Sequence, residues 1–310
     1  MLGHFLEIYP NEIFYSICVR YHNLTGQKNY QGTAKELFDK KHSGRGLFFP
    51  SNISVFTDVM NQSMGKNCMN AIDIINNNTI FPLIKPFISK QQKIRLMSSL
   101  LSGIPKICGI ADLLAIPEND KGVIKFCNKC MKKFLKEREE GYLNRLHQVP
   151  GNDFCLIHNN VLSRYEKSNK SGKIINILNI DCDSHVPEKV SKSLQEEKRN
   201  FSVDIEYIMT NKLRDESIEI IRKRYIERLA ELGFYKIFEF MDYKRLYDVY
   251  INFFSKEFLN DIGFYDSDKD YNSWVQDIPF IKKQSSPIRH LLFIRLLFGS
   301  AKAFFEDLSL

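Results

Sequence analysis

The 310-residue chain lacks any run of eighteen uncharged apolar residues, which excludes an ordinary membrane-spanning helix. Its nearest approach, HLLFIRLLFG over residues 290–299, is too short and carries Arg295, so it reads as a buried helix. The Gly-rich loop ending in Gly-Lys-Ser/Thr that cradles nucleotide phosphates is missing, and so is an acidic triad on a strand pattern. Neither ATP hydrolysis nor metal-ion strand transfer is therefore expected, and the chain reads as a non-enzyme. No basic-then-apolar leader opens the sequence, no fixed-period repeat recurs and no low-complexity tract interrupts it, so a cytoplasmic globular protein is expected. Neither charge sign dominates: 44 Lys+Arg against 37 Asp+Glu leave +7, compatible with a polyanionic partner without requiring one. Cysteines are few, seven in all, an odd number in a chain large enough to fold without staples.

What is present is the arrangement of four soft donors. Cys127 and Cys130 form one Cys-x-x-Cys pair, and Cys155 and His158 form a Cys-x-x-His pair beyond it. A loop this short places two donors on one ion, and a second pair closes a tetrahedral shell, as a structural Zn²⁺ requires. Four protein ligands leave no open position, so a structural rather than catalytic zinc is expected, pinning a helix to a hairpin. A redox reading of Cys127 and Cys130 would need a thioredoxin-like βαβ context, which the flanking residues lack. His147 is the weaker fifth donor, expected to pack near the site. Cys18, Cys68, Cys108 and Cys182 stand alone and read as small buried hydrophobes.

Apolar spacing predicts a mainly α protein. A helix is expected from Asn11 to Leu24, with Pro10 before it and Gly26 after it, followed by a second helix capped by Thr33 with Glu36 three residues on. Helical pieces broken by Pro and Gly continue to residue 115, and one helix is expected from Met131 to Leu146. Residues 153–165 read as a strand or hairpin, and the charged stretch 191–200 as a linker. The last third predicts helices over 218–232, 243–262 and 287–305, with stops at Gly233 and Gly263. The expected divisions are an N-terminal helical part with a helix-turn-helix-like unit (1–120), a zinc-finger region (121–186) and a C-terminal helical, helix-turn-helix-like part (187–310).

Basic residues cluster in two places. The first comprises Lys129, Lys132, Lys133, Lys136 and Arg145 around the metal segment; the second comprises Arg222, Lys223, Arg224, Lys244 and Arg245. Most such runs are solvated helix faces, and Glu137, Glu139 and Glu140 dilute the first.

The metal segment, with FCNKC, EREEGYLNRLHQVPG and FCLIH in order, resembles the zinc region of the TnsD/TniQ family, target selectors of Tn7-like bacterial transposons. The opening segment is similar to that family's N-terminal motif through Pro10, Glu12, Tyr15, Ser16 and Arg20. TIFPLIKPF resembles a second motif through Thr79, Phe81, Pro82, Pro86 and Phe87, and SSPIRHLLF a third from Pro287 to Leu292, with Ser286 where the family pattern often has His. The resemblance implies a non-enzymatic protein that binds double-stranded DNA at a chromosomal attachment site, close to the nucleoid, and recruits the AAA+ regulator TnsC. It also implies DNA contact by the two basic clusters and a partner surface on the first helix, with Tyr15 and Arg20. A short family member acting only as an adaptor between TnsC and another targeting complex is the alternative.

Overall fold

The computed structural model describes residues 7–40, 43–44, 46–65, 69–103, 114, 116–166, 180–214, 216–234, 241–265, 274–280 and 285–307. Among them are fifteen α-helices and four short strands, in accord with the mainly helical expectation. Helix α1 (Phe14–Thr25) stops at Gly26, whose φ of 62° supplies the left-handed residue that closes a helix. Every residue from Phe14 to Tyr21 is buried, because α1 is flanked by two cores. Phe14, Ile17, Cys18 and Tyr21 belong to the main helical core, whereas Tyr15 and Val19 join a smaller cluster with Ile124, Phe126, Met131 and Leu143. A helix covered on all sides needs apolar residues on all sides.

Helix α2 (Tyr30–Phe38) begins one turn earlier than expected. Asn29 is its cap, accepting the Gly32 amide at 3.2 Å, while Thr33 lies inside the helix with its hydroxyl 2.7 Å from His22 Nδ1. Then follow α3 (Ile53–Met64), α4 (Ala71–Asn78), the short α5 (Phe81–Ile84) with its 3-10 extension Lys85–Phe87, and α6 (Lys90–Ser102), opened by a Ser89/Gln92 capping box. Of the lone cysteines, Cys18 and Cys182 are buried as expected, and Cys68 and Cys108 lie outside the described residues.

The metal segment contains a 3-10 turn (Glu118–Asp120), β1 (Val123–Phe126), α7 (Asn128–Arg138), α8 (Arg145–Gln148), β2 (Phe154–Cys155), β3 (Asn160–Val161) and β4 (Ser163–Glu166). Strands β1 and β4 pair antiparallel from Val123↔Glu166 to Phe126↔Ser163, and β2 and β3 form the expected hairpin. The single helix expected over 131–146 is two helices. Glu139 turns left-handed at φ 58° and ends α7, after which the chain pairs with the entry to α1. The Ile13 amide donates to Leu143 O at 2.9 Å, and the Arg145 amide to Asn11 O at 2.8 Å.

Residues 191–200 are not a linker. Ser191 caps α9 (Lys192–Thr210) by accepting the Leu194 amide at 3.1 Å, and Leu194, Phe201, Ile205, Ile208 and Met209 enter the main core. Lys192, Glu196 and Arg199 are exposed, but Lys198 and Asp204 are buried beside the apolar stripe of this 19-residue helix, which is why that stripe is easily overlooked. Beyond it lie α10 (Ile218–Glu231), α11 (Tyr243–Phe253), α12 (Lys256–Asp261), α13 (Trp274–Asp277), α14 (Pro287–Phe298) and α15 (Ala301–Asp307). Two expected helices are each interrupted once: Ser255 caps α12, and Gly299, at φ 78°, separates α14 from α15. Ser286 caps α14, accepting the Arg289 amide at 3.3 Å.

The main core includes residues from Phe14 to Phe305, so helices before and after the metal segment share it. At their junction His290 stacks on Phe87 at 4.7 Å between ring centres, and its Nδ1 meets the Tyr225 hydroxyl at 3.2 Å. No helix among the described residues is long and apolar enough to cross a membrane.

Candidate metal centre and charged surfaces

Cys127 is the N-cap of α7 and Cys130 lies in its first turn, while Cys155 ends β2 and His158 occupies the turn into β3. The fold thereby brings a helix start against a hairpin tip. The three Sγ atoms and a His158 ring nitrogen all lie within 4.8 Å of one another. Sγ of Cys130 is 3.8 Å from Sγ of Cys155, and His158 Nδ1 is 3.5, 3.2 and 3.8 Å from the sulfurs of Cys127, Cys130 and Cys155. A tetrahedron with edges near these lengths has its centre about 2.0–2.3 Å from each corner, the range of zinc–nitrogen and zinc–sulfur bonds.

Hydrogen bonds from the Cys130 and Cys155 thiols push the Cys127 pKa down, and the same sharing pushes that of Cys130 up. Three adjacent sulfurs ionise together only when a cation offsets their mutual repulsion. The donor set and spacing therefore fit one bound metal ion in a closed shell. His147 is not in the set; burial pushes its pKa down to about 4 and keeps it neutral.

Two charge networks fix this segment to the helices. On one side, Lys125 Nζ lies 2.7 Å from Asp120 and 3.6 Å from Asp153. Arg164 bonds Asp120, and also Asp153 at 2.9 Å. Lys198 of α9 reaches Asp153 at 3.3 Å and Asp261 of α12 at 2.6 Å. Three cations thus meet three carboxylates where the metal segment meets the C-terminal helices. Burial alone would raise the Asp153 pKa, but Lys125, Lys198 and Arg164 outweigh it and hold the carboxyl below the usual range. On the other side, buried Arg20 bonds Glu12 at 2.7 Å and also Glu140, while Tyr9 donates to Glu140 at 2.5 Å and Ser16 to Glu12 at 2.7 Å. Nothing local in the sequence signals the first network, since its members lie up to 141 positions apart, from Asp120 to Asp261.

The structure separates the candidate DNA-contacting residues into three groups. Lys129, Lys132, Lys133 and Lys136 are exposed on α7, with Lys132 2.5 Å from Asp183 and Lys133 4.0 Å from Glu137. On α10 and α11, Lys223, Lys244 and Arg245 are exposed and Arg224 is half-buried. Lys223 and Arg224 pair with Glu227 at 3.9 and 3.8 Å, and Arg245 lies 4.6 Å above the Phe234 ring. Arg145 and Arg222 are buried and join neither surface. The Arg145 guanidinium donates to the carbonyls of Asn76, Thr79 and Met209, the latter two at 3.2 and 3.1 Å. It thereby fastens the C-terminal ends of α4 and α9. Tyr15 and Arg20, expected at a partner surface, are each only 2% exposed and face inward, so in this structure neither side chain is presented to a partner. The expected turn between α10 and α11 includes residues 235–240, which lie outside the described residues.

Residues 201–309 match the model of the TnsD family, described as Tn7-like transposition protein D. No curated protein matches the chain.

Proposed function

We propose that this chain, a member of the TnsD/TniQ family through the match over residues 201–309, is a site-specific DNA-binding target selector for transposition. In this reading it binds a chromosomal attachment site and recruits the AAA+ regulator TnsC, which supplies the ATP hydrolysis that this chain does not perform. The family match is the observation that carries the reading. Support comes from the sulfur-rich donor set of Cys127, Cys130, Cys155 and His158, which we assign to a structural Zn²⁺, the ion best suited to a closed tetrahedral shell of this composition.

DNA affinity needs cations on phosphates, and their rigid display reduces the ordering cost of binding. Helix α7 offers Lys129, Lys132, Lys133 and Lys136 on an outer face, anchored at its start by two metal ligands. Lys223, Arg224, Lys244 and Arg245 form the second surface, with α10 and α11 as the helix-turn-helix-like unit. Arg145 acts from within, bonding the ends of α4 and α9, and Arg222 is buried.

One observation favours the adaptor reading: Lys223 and Arg224 are compensated by Glu227 and Glu231 along α10, which weakens that surface for phosphates. Capture of fragmented host genomic DNA on the metal-loaded protein at moderate salt separates the two. Recovery of one or a few discrete loci is expected for a selector; even retention across the genome would overturn site-specific binding and leave the adaptor.

A further inference from the structure

Buried Arg145 bonds only backbone carbonyls and the Asn11 side chain, and no carboxylate pairs with it among the described residues. A cation removed from water without a counter-ion is costly, and burial pushes its pKa down to about 10. Two of its acceptors, Asn76 and Met209, also line a half-open recess of about 520 Å³. This recess lies between the end of α4, the α5 turn and the chain leaving α9.

Three features of the recess define its ligand. Cations line it at Lys85, Lys212 and Arg214, against a single carboxylate at Asp73. Lys212 and Arg214 are exposed and form no ion pair among the described residues. Its accessible apolar lining comes from half-buried Pro82 and Leu213, with buried Ile208 and Met209 behind them, and Asn76, Asn77 and Asn211 add polar lining. The C-terminal ends of α4 and α9 would ordinarily repel an anion. Here Arg145 occupies their carbonyls from beneath and places its own charge under the floor.

We infer that this recess binds an extended acidic peptide segment of a partner protein. Alternate side chains of an extended chain point to opposite sides, so acidic residues would meet Lys85, Lys212 and Arg214 while intervening apolar residues meet Pro82 and Leu213. Asn77, exposed, and Asn211, whose Nδ2 donates to the Tyr207 carbonyl and whose Oδ1 can still accept, offer polar groups to the peptide backbone. A convex DNA duplex cannot enter a recess of this size and would forgo the apolar floor. The site is separate from the lysine face of α7 and does not depend on DNA recognition.

The test uses the full metal-loaded chain and a fluorescein-labelled octapeptide of alternating Glu and Leu, followed by anisotropy at low salt, with a Gln-Leu octapeptide as control. Saturable binding of the Glu-Leu peptide alone is expected. The double variant Lys212→Glu, Arg214→Glu should weaken it at least tenfold, Asp73→Asn should tighten it about threefold through removal of the opposing charge, and Lys133→Glu on α7 should leave it unchanged. Unaltered thermal melting would show that the exposed substitutions keep the fold, and Asp73→Asn gives an independent gain of affinity. Absence of saturable binding, equal loss in Lys133→Glu, or failure of Asp73→Asn to tighten binding would overturn the proposal. So would displacement of the peptide by a short DNA duplex whose own affinity falls with the double variant, since the recess would then serve phosphates.

Discussion

Residues 116–166 and residues 192–307 are neighbouring stretches of one chain held by different physics. The C-terminal helices bury a long series of aliphatic and aromatic side chains, from Leu194 and Phe201 to Phe293 and Phe304, in the main core. The metal segment has four short strands and two short helices. Its apolar contribution is mainly a small cluster shared with α1 and a patch around its own cysteines. Beside its modest apolar burial stand three cysteine sulfurs and an imidazole gathered within 4.8 Å of one another, and buried charges paired within it and across its border. Hydrophobic burial is tolerant of small changes in geometry, whereas ligand shells and buried ion pairs fail when one member is removed.

The largest break should come at the ligands. Cys127→Ser should lose the metal, whose apparent binding free energy is on the order of 10 kcal/mol in small zinc modules; elemental analysis should fall from one ion per chain to background. Next in size is the charged border. Lys198→Met leaves Asp153 and Asp261 short of a cation and should cost about 3–5 kcal/mol in urea unfolding, although it replaces a charged side chain with an apolar one of similar length. A weaker effect belongs to the junction of the helical core. Burial, reinforced by the positive field of Arg222, pushes His290 down to about 3. The unfolded chain therefore takes up a proton near its ordinary pKa while the folded chain does not. Stability from this group is intact above about pH 6.5 and drains as pH falls toward 3, by about 2 kcal/mol at pH 5. His290→Phe should flatten the difference in urea midpoint between pH 7 and pH 5. Smallest for stability is Lys133→Glu on the outer face of α7, expected within about 0.5 kcal/mol of the parent. In a mobility-shift titration it should nevertheless weaken DNA binding and reduce the salt slope by about one or more.

The parts legible in the sequence are those set by short-range rules. Gly26, Gly233 and Gly263 end helices as expected because left-handed closure favours glycine, and the four metal donors are recognisable because tetrahedral ligation dictates pair spacing. Where long-range contacts decide, the reading departs from the structure. Charges at Glu196, Glu197, Lys198 and Arg199 disguise α9 as a linker, yet Lys198 is buried because carboxylates distant in sequence surround it. Arg145 resembles a member of a basic surface until the ends of α4 and α9 fold over it. Tyr15 and Arg20 belong to an apolar-looking helix start, and only the second core shows why both of its sides are covered. The Glu12–Arg20 and Phe87–His290 contacts join residues of the motifs from which the family resemblance was read, giving those residues structural work in the chain.

The contrast between the two regions is tested most directly by amide hydrogen exchange of the metal-loaded protein before and after chelation. Residues 123–166 should lose protection when the metal is removed, together with the part of α9 around Lys198, while α10 and α14 retain theirs. A protection map unchanged by chelation, or one lost equally across all helices, would contradict a metal segment held by its own ligands beside a core held by burial.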